Sequence, residues 1–150
     1  MNSKKVVDEF LNQRTLALVG ASRSGKKFGN SILRELTAKG YRLFPVHPHA
    51  QAIDGKPCSP SLGSLPEPVG GVIVVLPPKE TERVVREAHE AGIGRVWMQQ
   101  GAESEEAIQY CRSHAMQEVH GECILMFAQP TGFPHRVHRF FNGVFKKLPA

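Results

Sequence analysis

Gly20-Ala21-Ser22-Arg23-Ser24-Gly25-Lys26-Lys27 gathers glycines, hydroxyls and cations directly after the apolar run Thr15–Val19, and Gly29 then opens a helical pattern. These residue types hold phosphate. Glycine admits a ligand to the backbone, and the N–H groups of a helix start lack intrahelical partners and carry partial positive charge. Arg23, Lys26 and Lys27 add long cations beside the turn. The competing reading is a tight strand-to-helix turn that binds nothing. If the turn seats phosphate, Gly20→Val should block the ligand and leave the fold intact.

Two familiar chemistries fall short of this loop. A nucleotide-hydrolysing phosphate loop needs Ser or Thr after its Gly-Lys pair to reach magnesium, and position 27 is Lys. Neither following strand ends in an acid that could hold the metal. A dinucleotide fingerprint needs G-x-G-x-x-G and an acid after the second strand. Here Gly20 is followed by Ala21-Ser22, the second strand runs into Val46-His47-Pro48-His49, and Asp54 lies further on.

Other candidates are weaker. Pro77-Pro78-Lys79 is either a helix start or a rigid wall beside a ligand, and Gln99-Gln100-Gly101 is either an exposed polar loop or a source of amides with close backbone approach. His135, His138 and His120 suggest a metal, but no acid or cysteine joins them at ligand spacing and Arg136 and Arg139 are interleaved, so a basic surface is favoured and no metal is expected. Cys123 reads as a core thiol, because a nucleophile needs a base beside it. No catalytic constellation stands out.

These residues need a scaffold. Near-continuous apolar runs at Thr15–Val19, Tyr41–Val46, Gly71–Leu76 and Arg95–Met98, with a fifth around Cys123–Phe127, read as strands covered on both faces. Helical stripes lie between them. Ile32, Leu33 and Leu36 end at Gly40; Val84, Val85, Ala88 and Ala91 end at Gly92; Ala107, Ile108, Cys111 and Ala115 follow a Ser104 cap. The alternation predicts an α/β, Rossmann-like, doubly wound domain, with a mainly parallel five-stranded sheet of order 3-2-1-4-5 and helices on both faces. The ligand cleft would lie between the first and fourth strands, formed by Gly20–Gly29 and Gln99–Gly101 and flanked by His47-Pro48 and Pro77-Pro78.

Composition narrows the class. The chain has 150 residues, 41% hydrophobic and 22% charged, which suits one soluble domain. No apolar run is long enough for a membrane span, and the acid-containing start reads as a short helix. Three cysteines without close spacing point to a reducing cytoplasm. The net charge of +5 suits an anionic ligand. Nucleic acid is disfavoured, because the cations form no dense run and the group Arg136, Arg139, Lys146 and Lys147 reads as a solvated face. A helical extension is expected over 134–147. Phe127, Phe133, Phe140, Phe141 and Phe145, clustered near the C-terminus, read as core, with a homodimer face as the alternative.

Val19-Gly20-Ala21-Ser22, Gly29, the stretch Gly40-Tyr41 to Pro48, Gly55-Lys56-Pro57-Cys58, Val96-Trp97-Met98-Gln99-Gln100-Gly101 and Gly121-Glu122-Cys123 together resemble the small CoA-binding domain proteins. They also resemble the CoA-binding module of the succinyl-CoA synthetase α-subunit. The resemblance covers about residues 12–127 and implies a Rossmann-like fold that binds coenzyme A through its ADP moiety. By that resemblance Gly20, Ala21 and Ser22 line the first turn. Val46, His47 and Pro48 flank the nucleotide, Val75, Leu76 and Pro77 border it, and Gln99 and Gly101 complete the site. Arg23, Lys26 and Lys27 would meet the pyrophosphate and 3′-phosphate. The synthetase has a second domain with a phosphorylated histidine, and this chain is too short to hold it. The expectation is noncatalytic binding of coenzyme A or an acyl-CoA. An NAD(P)-type dinucleotide protein and an enzyme acting on a CoA thioester stand as alternatives.

Overall fold

The computed structural model describes residues 3–128. The segment 134–147, with His135, His138, its arginines and lysines, and the phenylalanines from Phe133 onward, lies outside the described residues.

Ser3 caps helix α1 (Lys4–Leu11), its hydroxyl accepting the Val6 N–H at 3.1 Å. Strand β1 (Thr15–Val19) leads through the glycine-rich loop to α2 (Phe28–Ala38) and then to β2 (Arg42–Val46). A small hairpin, β3 (Ala52–Ile53) and β4 (Lys56–Pro57), and one 3-10 turn at Leu62–Ser64 precede β5 (Gly71–Val74). Then follow α3 (Pro78–Glu90), β6 (Arg95–Gln99), α4 (Glu105–Ser113) and β7 (Gln117–Glu122). The expected helix stops hold. Gly40 and Gly92 take φ of +96° and +80°, and the N–H groups of Tyr41 and Ile93 reach back to Leu36 and Ala88 carbonyls. Ser104 accepts the Ala107 N–H at 3.1 Å, as a cap should.

Five strands form one parallel sheet in the order β2-β1-β5-β6-β7. The α/β doubly wound class therefore stands, but the strand order differs from expectation. Counting the five long strands alone, it is 2-1-3-4-5 and not 3-2-1-4-5. The reason lies at the outer edge of β2. Ser59 bridges Val46 there, donating to the Pro45 carbonyl at 3.1 Å and accepting the His47 N–H at 3.0 Å. Pro45 itself has no N–H for a further strand. With that edge filled, the chain crosses to the free side of β1. The fifth strand is also displaced. It spans Gln117–Glu122, and Ile124–Met126 forms a 3-10 turn. As an edge strand it buries only Val119, so its polar sequence conceals it.

Alternation along each strand divides the core. Leu16, Leu18, Ile73, Trp97 and Val119 pack with α1 and α2, while Ala17, Val72, Val74, Val96 and Met98 pack with α3 and α4. Trp97 is fully buried, its ring centroid 5.4 Å from Phe10 and 6.0 Å from Phe127, and its Nε1–H donates to the Glu122 carbonyl at 3.1 Å. No described helix is long and apolar enough to cross a membrane. Trp97→Ala should lower unfolding free energy by about 3–5 kcal/mol, read as a shifted urea midpoint at constant slope.

Candidate functional site

The strand order reverses between β1 and β5. β1 runs out to β2 through α2 on one face, and β5 runs out to β6 and β7 through α3 and α4 on the other. At such a reversal the loops leaving the two strands part and open a crevice at their carboxyl ends. Here the cleft holds about 360 Å³ and is lined by Gly20, Lys27, Phe28, Gly29, Val75, Leu76, Pro77, Gln99, Gln100, Gly101 and Ala102. The loop beside Gly20 is thus Val75–Pro77, with Gln99–Gly101 one strand further out. This corrects the expectation that the first and fourth strands flank the switch.

Two glycines let three backbones meet. Gly20 has φ +127°, and a Cβ on it would collide with the Val75 carbonyl oxygen. A Cβ on Gly29 would stand 2.5 Å from the Gly20 carbonyl oxygen. The start of α2 therefore rests directly on the strand ends. Lys27 caps α2 without a side-chain hydrogen bond, and the first helix-side bond is Asn30 N–H to the Lys27 carbonyl at 2.9 Å. The Phe28 and Gly29 N–H groups meet no acceptor among the described residues, as expected of donors in the first turn of a helix. Gly20→Val would not spare the fold, because valine would have to displace the β5 backbone.

Asn30 was not anticipated from the sequence, and it organises the loop. Fully buried, it accepts the Ser22 N–H at 2.9 Å and donates to the Ser22 carbonyl at 3.0 Å and to Asp54 Oδ2 at 3.1 Å. Arg34 Nη1 reaches the same Asp54 oxygen at 3.2 Å and the Gly25 carbonyl at 3.2 Å. The Ser22 amide is therefore engaged from within the protein. Asp54 sits at φ +50° in the β3–β4 turn. An asparagine directly after Gly29, in the first turn of the helix, was the available signal, since a polar group on the buried helix face needs partners.

The remaining expected residues divide into two groups. Val75, Leu76, Pro77, Gln99 and Gly101 line the cleft together with Gly20 and Lys27. Ala21, Ser22, Arg23, Lys26, Val46, His47 and Pro48 do not. Val46 is buried in the core, Pro48 is exposed at the end of β2, and Arg23 and Lys26 are exposed on the loop. Gln99 is buried, and its Oε1 accepts the Ile124 N–H at 3.0 Å, so this amide secures the turn after β7. Thr81 Oγ1 donates to the Ala102 carbonyl at 2.6 Å and fixes the far wall.

His47 Nδ1 accepts the N–H groups of His49 at 3.0 Å and Ala50 at 3.1 Å. This leaves the ring proton on Nε2 in the neutral form. Desolvation, then the charges of Arg23, His49 and Lys27, hold its pKa below the ordinary imidazole value. Arg23 and Lys27 thus share a positive field with His47 over the ends of β1 and β2. Elsewhere, burial, helped by the Glu118 charge, pushes the Cys111 thiol up to about 12, so it is an inert core group. Among the described residues no three His, Cys, Asp or Glu side chains gather as metal ligands.

A model of the CoA binding domain family matches residues 14–129. The α-subunit of ADP-forming acetate–CoA ligase II from Pyrococcus furiosus is 25% identical, covering 79% of this chain and 28% of that protein. Among solved structures, a conserved hypothetical protein from Pyrococcus furiosus is 41% identical with a TM-score of 0.71, covering 75% of this chain and 97% of its own. A dinucleotide-forming acetyl-coenzyme A synthetase 1 from Ca. Korarchaeum cryptofilum, in complex with phosphate and ADP, is 26% identical with a TM-score of 0.66, covering 79% of this chain and 27% of its own. This chain thus spans well under two thirds of the curated relative and nearly all of the small Pyrococcus structure.

Asn30→Ala should cost about 1–3 kcal/mol of stability by denaturant titration, because it strands the Ser22 amide and carbonyl inside the protein. An NMR titration should place the His47 pKa below about 6.5. The stability that neutral His47 contributes is whole above that ordinary value and fades as pH falls through the lower folded one. Arg23→Ala with Lys27→Ala should move the titration upward.

Proposed function

Because this chain belongs to the CoA binding domain family, we propose that it binds coenzyme A or an acyl-CoA through the ADP and pyrophosphate portion, without transforming it. One observation carries the reading: the open N–H groups of Phe28 and Gly29, with Lys27 beside them, face a cleft at the sheet's topological switch. A diphosphate supplies the acceptors those donors lack, and the helix dipole adds to the attraction. Arg23, Lys26 and Lys27 extend the positive surface toward a second phosphate, which suits the 3′-phosphate of the coenzyme. The residues present therefore fit this ligand.

Two features support binding over the alternatives. Of the cleft-lining residues only Lys27 ionises, so the cleft offers a cation and no acid–base pair. An NAD-type site needs a carboxylate for the ribose hydroxyls after the second strand. The nearest acid in sequence, Asp54, is engaged by Asn30 and Arg34. The relatives' ligase and synthetase activities belong to much longer proteins, and for this chain we infer the binding step alone. The odd number and wide spacing of Cys58, Cys111 and Cys123 support a reducing, cytoplasmic setting.

Calorimetry should rank coenzyme A above dephospho-CoA, and both above NAD. The double variant Lys26→Ala with Lys27→Ala should weaken coenzyme A about tenfold and dephospho-CoA about threefold, since only the former carries the 3′-phosphate. NAD binding more tightly than coenzyme A would reject the reading.

A further inference from the structure

Phe28 is the exposed large hydrophobic side chain of the described residues, 52% accessible, and it lines the cleft. It occupies the first helical position of α2, where nothing in helix formation calls for a phenyl ring. Val75, Leu76 and Pro77 line the same cleft, together with the small residues Gly20, Gly29, Gly101 and Ala102. The polar wall is uncharged, from Gln99 and Gln100. The cations Arg23 and Lys26 lie outside this space, and Arg23 shares its field with His47 over β2. Lys27 alone belongs to both regions. The surface is thus divided into a cationic shelf and a neutral, largely apolar slot that meet at the start of α2.

The proposed ligand is divided in the same way. One end carries the diphosphate and the 3′-phosphate. The other is a long neutral arm of alkyl groups and two amides, ending in the thiol or its acyl ester. Resting on the coenzyme reading above, we propose that Phe28 is a specificity-determining residue: its ring is the apolar wall against which the pantetheine arm lies, in the cleft shared with Val75–Pro77, while the phosphates remain on the cationic shelf. Covering a half-exposed ring and the aliphatic carbons of the same cleft supplies affinity that the charges cannot, and it is selective for a ligand with an arm of this kind. The exposed carboxamide of Gln100 is the polar group of the lining left for the arm's amides, since that of Gln99 is buried and accepts the Ile124 N–H.

Calorimetry with three probes tests this on the full chain: coenzyme A, 3′,5′-ADP as the anionic end, and 4′-phosphopantetheine as the arm. Phe28→Ala should weaken coenzyme A and 4′-phosphopantetheine about tenfold, the loss expected for half a phenyl ring's burial, and leave 3′,5′-ADP unchanged. Phe28→Leu should recover most of the affinity. An unchanged melting temperature confirms that the half-exposed position has not disturbed folding. A loss that falls on 3′,5′-ADP would place the ring against adenine and overturn the proposal, as would no loss on any probe. If the unaltered protein binds none of the three, the coenzyme reading itself fails; if it binds coenzyme A and Phe28→Ala binds it equally well, only the role of Phe28 fails.

Discussion

The contact of three backbones at Gly20, Gly29 and Val75 is the constraint on which the rest of this structure depends. A side chain at either glycine would overlap a carbonyl group, so α2 can begin on top of the strand ends only because both positions lack Cβ. That approach brings the unpartnered N–H groups of Phe28 and Gly29 to the mouth of the sheet. It also brings the β5 turn close enough to line the same cleft. Packing and ligand chemistry are therefore one requirement here: glycines that read as phosphate-binding residues act first by allowing the walls of the cleft to come together.

A second layer of polar contacts holds this arrangement. Asn30, buried on the helix, joins the loop at Ser22 to the hairpin at Asp54, and Arg34 closes the same network from outside. On the far wall, Thr81 and Gln99 secure the 99–102 turn to α3 and to the segment after β7. The cleft is bounded by elements that are individually tied down. Such pre-organisation reduces the ordering that a ligand must otherwise impose.

The electrostatics are arranged along the sheet's upper edge. Positive charge collects above β1 and β2, where it adds to desolvation in lowering the His47 pKa, and it diminishes toward β6, where the lining is carboxamide and apolar carbon. A ligand with separated anionic and neutral ends matches that gradient in one direction only.

Much of this was legible in the residues themselves. The strands Thr15–Val19 and Arg95–Gln99, the stops at Gly40 and Gly92, the Ser104 cap and the loop opening α2 are all short-range matters. They depend on the period of apolar residues, on capping groups and on glycine, and all of that information lies within a few neighbours. What only tertiary structure decided is long-range. The bridge from Ser59 and the missing N–H of Pro45 closed the β2 edge and sent β5 to the other side of β1, which moved the switch point. An edge position let β7 be polar and so hid it. Gln99 serves as an internal strut because Ile124, distant in sequence, presents an N–H beside it. Periodicity reports which face of an element is buried; it carries no information about which element lies against that face, and here that pairing determined where the cleft opens.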